Sequence, residues 1–154
     1  ILFDADEANG TRYVKKITKA YLGDELINLG DYALEMCTKI EELTLGKQMV
    51  KIGRNALKSL ALTKFDIPEG VVLIHNFAFA TTTQLQEITF PMSIPAGDPN
   101  TMDQDKMVGL GQEIFLKATT AKNGTLVVKT ENPVVIQYMI DNYPLVAQNS
   151  GFID

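Results

Sequence analysis

Cysteine occurs once in the 154 residues, at Cys37, and histidine once, at His75. A single cysteine excludes an internal disulfide and leaves the redox compartment open. A single histidine with no identifiable partners gives a general base nothing to work with. The longest apolar runs are a few residues, far short of the roughly 20 that a membrane-spanning helix needs. Basic residues are outnumbered, 14 Lys and Arg against 19 Asp and Glu, for a net charge of −5. They are also scattered, so there is no basic patch to grip a nucleic-acid backbone. The chain opens on Ile1 without Met and without a positively charged, apolar-cored leader. It is therefore expected to be a processed product or an excised piece, its targeting signal lost from view.

What is present is 45% hydrophobic and 21% charged, the composition of a folded soluble protein. The length suits one ordinary domain or a short repeat array. The segment "VKIGRNALKSLALTKFDIP", residues 50 to 68, fits neither a helical period nor simple alternation. Shifting the chain against itself by 22 or 23 residues explains why. Leu29, Ile52 and Ile74 align, followed by Gly30, Gly53 and His75, then Ala33, Ala56 and Ala78, then Leu34, Leu57 and Phe79. After a short variable stretch come Ile40, Leu62 and Leu85, then Leu43, Phe65 and Ile88, then Leu45, Ile67 and Phe90, and each unit closes on Gly46, Pro68 or Pro91. A half unit precedes these, with Ile17, Ala20, Leu22 and Gly23.

Each unit ends in a period-2 pair suited to a short strand, and a second extended piece leads into a turn or one helical turn. One such unit cannot cover its own apolar edge. Stacked units build a continuous core, and an array of about 3.5–4.5 coils needs a cap at each end. The slot before the Leu43-type position reads Lys19, Glu42, Lys64, Glu87. In a parallel stack these side chains lie roughly 5 Å apart, and alternating sign relieves the repulsion of a like-charged column.

The pattern resembles the BspA-like leucine-rich repeat of bacterial surface proteins. Leu29-Gly30-x-x-Ala33-Leu34 runs on to Cys37, Ile40, Leu43 and Leu45, with Cys37 on that family's cysteine slot and Phe79 on its aromatic slot. Pro68 and Pro91 take the proline slot. Gly46 departs from it, and the second unit is one residue short between Ala56 and Leu62. The resemblance covers residues 17–94. It implies a right-handed leucine-rich solenoid, mainly β with some α, with short parallel strands and turn or short-helix returns. It further implies adhesion or recognition in place of catalysis, and brings no catalytic set.

The whole chain is expected to form a single domain. Residues 1–16 form the N-terminal cap, with a turn at Asn9-Gly10 and a strand through Tyr13, Val14 and Ile17. Residues 17–94 are the repeats, and 95–111, rich in Pro, Gly, Asp and Asn, reads as a long exposed loop. Residues 112–154 hold a degenerate coil and a C-terminal cap. There "EIFLKATT" and "TLVVKT" are either a hairpin about Asn123-Gly124 or, the preferred reading, the strands of a further coil. Asn132-Pro133 opens a helix over Val134 to Tyr143, which Pro144 ends.

His75 falls on a turn slot, where an exposed, incidental polar residue is expected. Cys37 matches Leu60 of the next unit and reads as a small buried hydrophobe. Asp98, Asn100, Asp103 and Asp105 offer oxygen ligands to calcium, but lack the glycine and terminal glutamate of an EF-hand, so a solvated loop is expected. Gly109-Leu110-Gly111 is too short for a phosphate loop. Asn9 and Asn123 sit in glycosylation sequons, although Asn-Gly is explained by turns. The remaining candidate is the strand face: Lys19, Glu42, Lys64 and Glu87, beside Tyr21, Thr44, Asp66 and Thr89.

These features point to a non-catalytic, cofactor-free module that binds a protein, glycan or other host or cell-surface ligand, secreted or displayed on a cell surface. The alternative is a structural assembly component, such as a virion or appendage subunit, which self-associates and uses the solenoid as a rigid scaffold.

Overall fold

Alternation in Glu42-Leu43-Thr44-Leu45 puts two leucines inward and two polar residues outward, and this segment is a strand in the computed structural model. The structure describes residues 16–35 and 37–154, so the expected N-terminal turn and the Tyr13 and Val14 strand lie outside it. The same alternation recurs in β1 (Lys19–Leu22), β3 (Glu42–Leu45), β5 (Lys64–Asp66), β7 (Glu87–Thr89) and β9 (Val127–Lys129). Together they form a long face. Between them run two-residue strands, β2 (Asn28–Leu29), β4 (Lys51–Ile52), β6 (Leu73–Ile74) and β8 (Gly109–Leu110), which make a short face in the order β2-β4-β6-β8. Every pairing is parallel, and Leu29↔Ile52↔Ile74↔Leu110 are directly in register. The repeat alignment over residues 17–94 is therefore spatial stacking, and the fold is a leucine-rich solenoid, mainly β with some α.

The core follows the aligned slots. Ile40, Leu62, Leu85, Leu57, Phe79 and Ile88 are all essentially inaccessible to solvent. Aromatic rings form a spine along the stack, with centroids 5.8 Å apart for Phe65 and Phe79 and 5.6 Å for Phe79 and Phe115. Offset and edge contacts at such spacing add to the apolar burial. The returns are also repeated. Tyr32, Asn55, Phe77 and Glu113 occupy one slot of successive coils, and all have positive φ, between 40° and 61°. Ser59, Thr81 and Lys117 repeat this at a second slot, with φ from 55° to 63°. A left-handed backbone costs a non-glycine residue energy. Here the stacking imposes it: Leu34, Leu57 and Phe79 N–H groups each bond a carbonyl of the next coil, Ala56, Ala78 and Ile114.

Residues 95–111 depart from the expected long loop. They contain a 3-10 turn, Gln104–Lys106, and end in β8, which pairs with β6 as the fourth strand of the short face. The hairpin alternative fails, because β9 pairs in parallel with β7. The further coil is real, although "EIFLKATT" is not one of its strands. It forms the turn and then leads into α1 (Thr119–Asn123), whose C-cap is the left-handed Gly124. The terminal helix runs as α2, Pro133–Asn142, with the Asn132 side chain capping Val134 N–H at 2.9 Å. Pro144 ends α2 and opens a further helix, α3 (Pro144–Asn149), since proline is well suited to the first turn.

Candidate functional site: the long strand face

The outward residues of the long face stand in two columns. Lys19 lies opposite Glu42 and Tyr21 opposite Thr44. Lys64 lies opposite Glu87 and Asp66 opposite Thr89. The charge column is an ion-pair ladder, with Lys19–Glu42 at 3.1 Å and Lys64–Glu87 at 3.8 Å. Glu87 also takes Lys129, at 2.7 Å, a partner the repeat alignment did not include because β9 lies beyond it. The Lys129 bond is the main reason the Glu87 carboxyl sits below the usual carboxylate range. These pairs are exposed and contribute little stability. Their effect is to fix long side chains in position and to leave the face without a large field of one sign. Tyr21 donates its hydroxyl to Asp24 Oδ1 at 3.0 Å, which anchors the first position of the second column.

The ladder is interrupted at one place. β1 pairs with β3, and β5 pairs with β7 and β9, but no strand pairing joins β3 to β5. The interruption coincides with the missing residue between Ala56 and Leu62. In the other coils the first link is Glu41 N–H to Thr18, Gln86 N–H to Thr63 or Val127 N–H to Gln86. Here it is replaced by Ala61 N–H to Ile40 O at 2.8 Å, so the shortened return meets its neighbour out of step. The strands remain adjacent, with some Cα pairs within 8 Å. Between them opens a cleft of about 420 Å³, lined by Glu42, Leu43, Thr44, Leu45, Lys64, Phe65, Asp66 and Pro68. Four of the eight candidate residues, Glu42, Thr44, Lys64 and Asp66, thus surround a cleft in the middle of the face.

The other sequence candidates are placed elsewhere. Cys37 is fully buried, and burial pushes its thiol up, which fits a packed hydrophobe. His75 is a correction: it is buried, not exposed. Its coil is not the last on the short face, for β8 stacks beyond β6, and the 95–111 segment folds back so that Gln104, Asp105 and Met107 line a cavity together with His75. Asn76 N–H donates to His75 Nδ1 at 2.7 Å, while Nε2 has no partner. Burial, with Arg54 nearby, holds the imidazole below its ordinary pKa and so neutral.

The oxygen-rich loop is occupied with its own backbone. Asp98 accepts from Asn100 N–H, Asp103 caps Asp105 N–H, and Asn100 exchanges amide hydrogen bonds with Asn76 at 3.0 and 3.2 Å. Among the described residues no cluster of three His, Cys, Asp or Glu side chains could hold a metal ion. Gly109-Leu110-Gly111 is strand β8 and its exit.

Sequence reasoning did not reach the side chains that stitch the coil corners. Asp31 accepts Arg54 N–H at 2.8 Å and Asn76 accepts Gln112 N–H at 2.8 Å. Asp24 accepts Lys47 N–H at 3.2 Å and Glu69 accepts Met92 N–H at 3.3 Å at the other corner. The signal was a carboxylate or amide at one corner slot facing the next coil.

With the geometry in place, the family comparison agrees with the architecture. A family model described as BspA type leucine rich repeat region (6 copies) matches residues 10–102, more than half of the chain. The chain belongs to this family. No curated protein matches it. Among solved structures it is similar to a leucine-rich repeat protein from Bacteroides ovatus ATCC 8483, at 17% identity and a TM-score of 0.38. That match covers 77% of this chain and 38% of the other, so the chain spans well under half of that structure. Leucine-rich repeat domains are interaction modules and are generally non-catalytic. Among the described residues no helix is long and apolar enough to cross a membrane.

Proposed function

We propose that this chain is a non-catalytic recognition module, secreted or displayed on a bacterial surface, whose long face takes a protein or glycan ligand. The observation that carries this reading is the cleft between β3 and β5, bordered by Glu42, Thr44, Lys64 and Asp66. A rigid stack holds these polar groups at fixed spacing, so a ligand meets a preorganised surface and pays little to order it. Tyr21, Thr89 and Lys129 extend the surface on either side of the cleft. Repeat-built faces of this kind recognise partners over several coils at once.

The test is binding of the immobilised protein to matrix proteins and to a glycan array, repeated with Thr44→Arg and Asp66→Arg. Both positions are exposed, so the melting temperature stays the same. Affinity for the ligand found is expected to fall roughly tenfold or more, about 1.4 kcal/mol. Unchanged affinity in both variants overturns the assignment.

An assembly subunit is the second reading, favoured by the exposed Ile27 and Tyr32 on the first coil. Concentration-dependent sedimentation with no added ligand distinguishes it from the first.

A further inference from the structure

The short face propagates by one rule. Leu29 C=O accepts Gly53 N–H, Ile52 C=O accepts His75 N–H, and Ile74 C=O accepts Gly111 N–H, at 2.8–2.9 Å. Each residue of this row addresses the next coil. Leu110 is the next member of the row, in register with Ile74, and Ile74 already engages the residues on both sides of it. In a parallel ladder the N–H and C=O of Leu110 therefore point away from β6, to where a fifth strand would lie. Among the described residues no such strand pairs with β8, and neither group has a hydrogen-bond partner there.

The long face ends differently. Val128 is the corresponding outward residue of β9, and its N–H donates to the Ser150 hydroxyl at 2.8 Å, while the Asn149 amide donates to the Thr125 and Leu126 carbonyls at 3.2 Å. The turn is closed as well, since the Tyr138 hydroxyl donates to Gly111 C=O at 2.7 Å and Tyr143 accepts Phe115 N–H at 3.1 Å. The cap thus seals β9 and the turn and leaves β8 open. At that open edge lies a groove of about 470 Å³ between β8, residues 95–97 and α2, lined on α2 by Val134, Gln137, Tyr138 and Asp141. Asp141 is its one ionisable acid or base apart from the Tyr138 phenol.

We propose that the β8 edge is a docking site for an extended peptide of a partner protein. The peptide adds in parallel as a fifth strand, bonds Leu110 through its backbone, and sets apolar side chains against Val134 and Tyr138 and a Lys or Arg against Asp141. Backbone pairing at a spacing of about 4.8 Å gives affinity, and the alternating side chains give selectivity. This surface is separate from the long face and does not depend on the function proposed for it.

The probe is a fluorescein-labelled hexapeptide of alternating valine and lysine, followed by anisotropy and by amide exchange. At a peptide concentration about ten times its Kd, exchange at the Leu110 amide is expected to slow roughly tenfold. A peptide N-methylated on the edge that faces β8 loses binding, and one N-methylated on the opposite edge keeps it. Asp141→Lys, an exposed substitution, is expected to shift preference to the hexapeptide with glutamate in place of lysine. Binding without Leu110 protection, indifference to both methylation patterns, or no binding at millimolar peptide overturns the proposal. So does a dimer in which a second copy's β8 protects Leu110.

Discussion

The Tyr143 hydroxyl takes the Phe115 N–H at 3.1 Å, where the interior coils offer a carbonyl of the next coil to Leu34, Leu57 and Phe79. A side chain from the cap thus replaces a missing repeat. Burial pushes this phenol up to about 12, so it stays a neutral hydroxyl at physiological pH. Tyr143→Phe keeps the ring contact with Phe115, centroids 5.6 Å apart, and removes only the acceptor. An unpaired N–H at this partly buried position is expected to cost about 1–3 kcal/mol, read as a lower urea midpoint with an unchanged m-value.

His75 makes stability depend on pH in the weakly acidic range. Its folded pKa lies below the ordinary 6.5, chiefly through burial, with Arg54 opposing protonation and Asp31 partly favouring it. The unfolded chain therefore takes up the proton first. The contribution is fully present above 6.5 and is lost as pH falls through that value towards the folded pKa. Protonation also places a hydrogen on Nδ1, which now accepts from Asn76 N–H. The unfolding midpoint is expected to fall from pH 7 to 5.5 in the wild type and to fall less in His75→Gly. Equal falls in both would remove His75 as the cause.

The repeat was legible in the sequence because every aligned apolar slot is a stacked core position. Ile40, Leu62 and Leu85 show it most directly, since all three are buried in successive layers. The left-handed returns were not legible, because Tyr32, Asn55 and Phe77 are not glycines and their backbone is dictated by bonds to the next coil. His75 was misread for a related reason. A turn slot reads as exposed until a later segment, here Gly109–Leu110 within a Pro- and Gly-rich stretch, is known to stack over it. The eight face residues were legible as columns, yet the cleft among them was visible only as one missing residue whose spatial consequence the sequence does not state.

Phe65 is buried in the aromatic spine beside Phe79. Phe65→Asp places a carboxylate among apolar layers with no cation arranged to meet it, and loss of the cooperative melting transition is expected by circular dichroism. Phe79→Ala tests the same spine less severely and should cost about 3–5 kcal/mol, since the rings on both sides limit collapse of the cavity. Tyr21→Ala, on the exposed first strand, is the control. It should stay within about 0.5 kcal/mol of the parent.

The interrupted ladder between β3 and β5 makes a prediction at single-residue resolution. In β5 the residues that bond β7 alternate with those that face β3. Glu87 N–H goes to Thr63 O and Ile67 N–H to Thr89 O, which places Phe65 in the bonded set and turns Lys64 and Asp66 towards the cleft. Native-state hydrogen exchange should therefore be fast at the Lys64 and Asp66 amides and slow at Phe65 and Ile67, within one short strand. Inserting one alanine between Leu60 and Ala61 restores the spacing of the neighbouring returns, since Cys37 to Ile40 and Thr82 to Leu85 are each one residue longer than Leu60 to Leu62. If the missing residue causes the split, the insertion should slow exchange at Lys64 and Asp66 while closing the cleft, and ligand binding to the long face should weaken with it. Persistent fast exchange in the insertion variant would place the cause elsewhere, with Pro68 at the end of the strand the next residue to change.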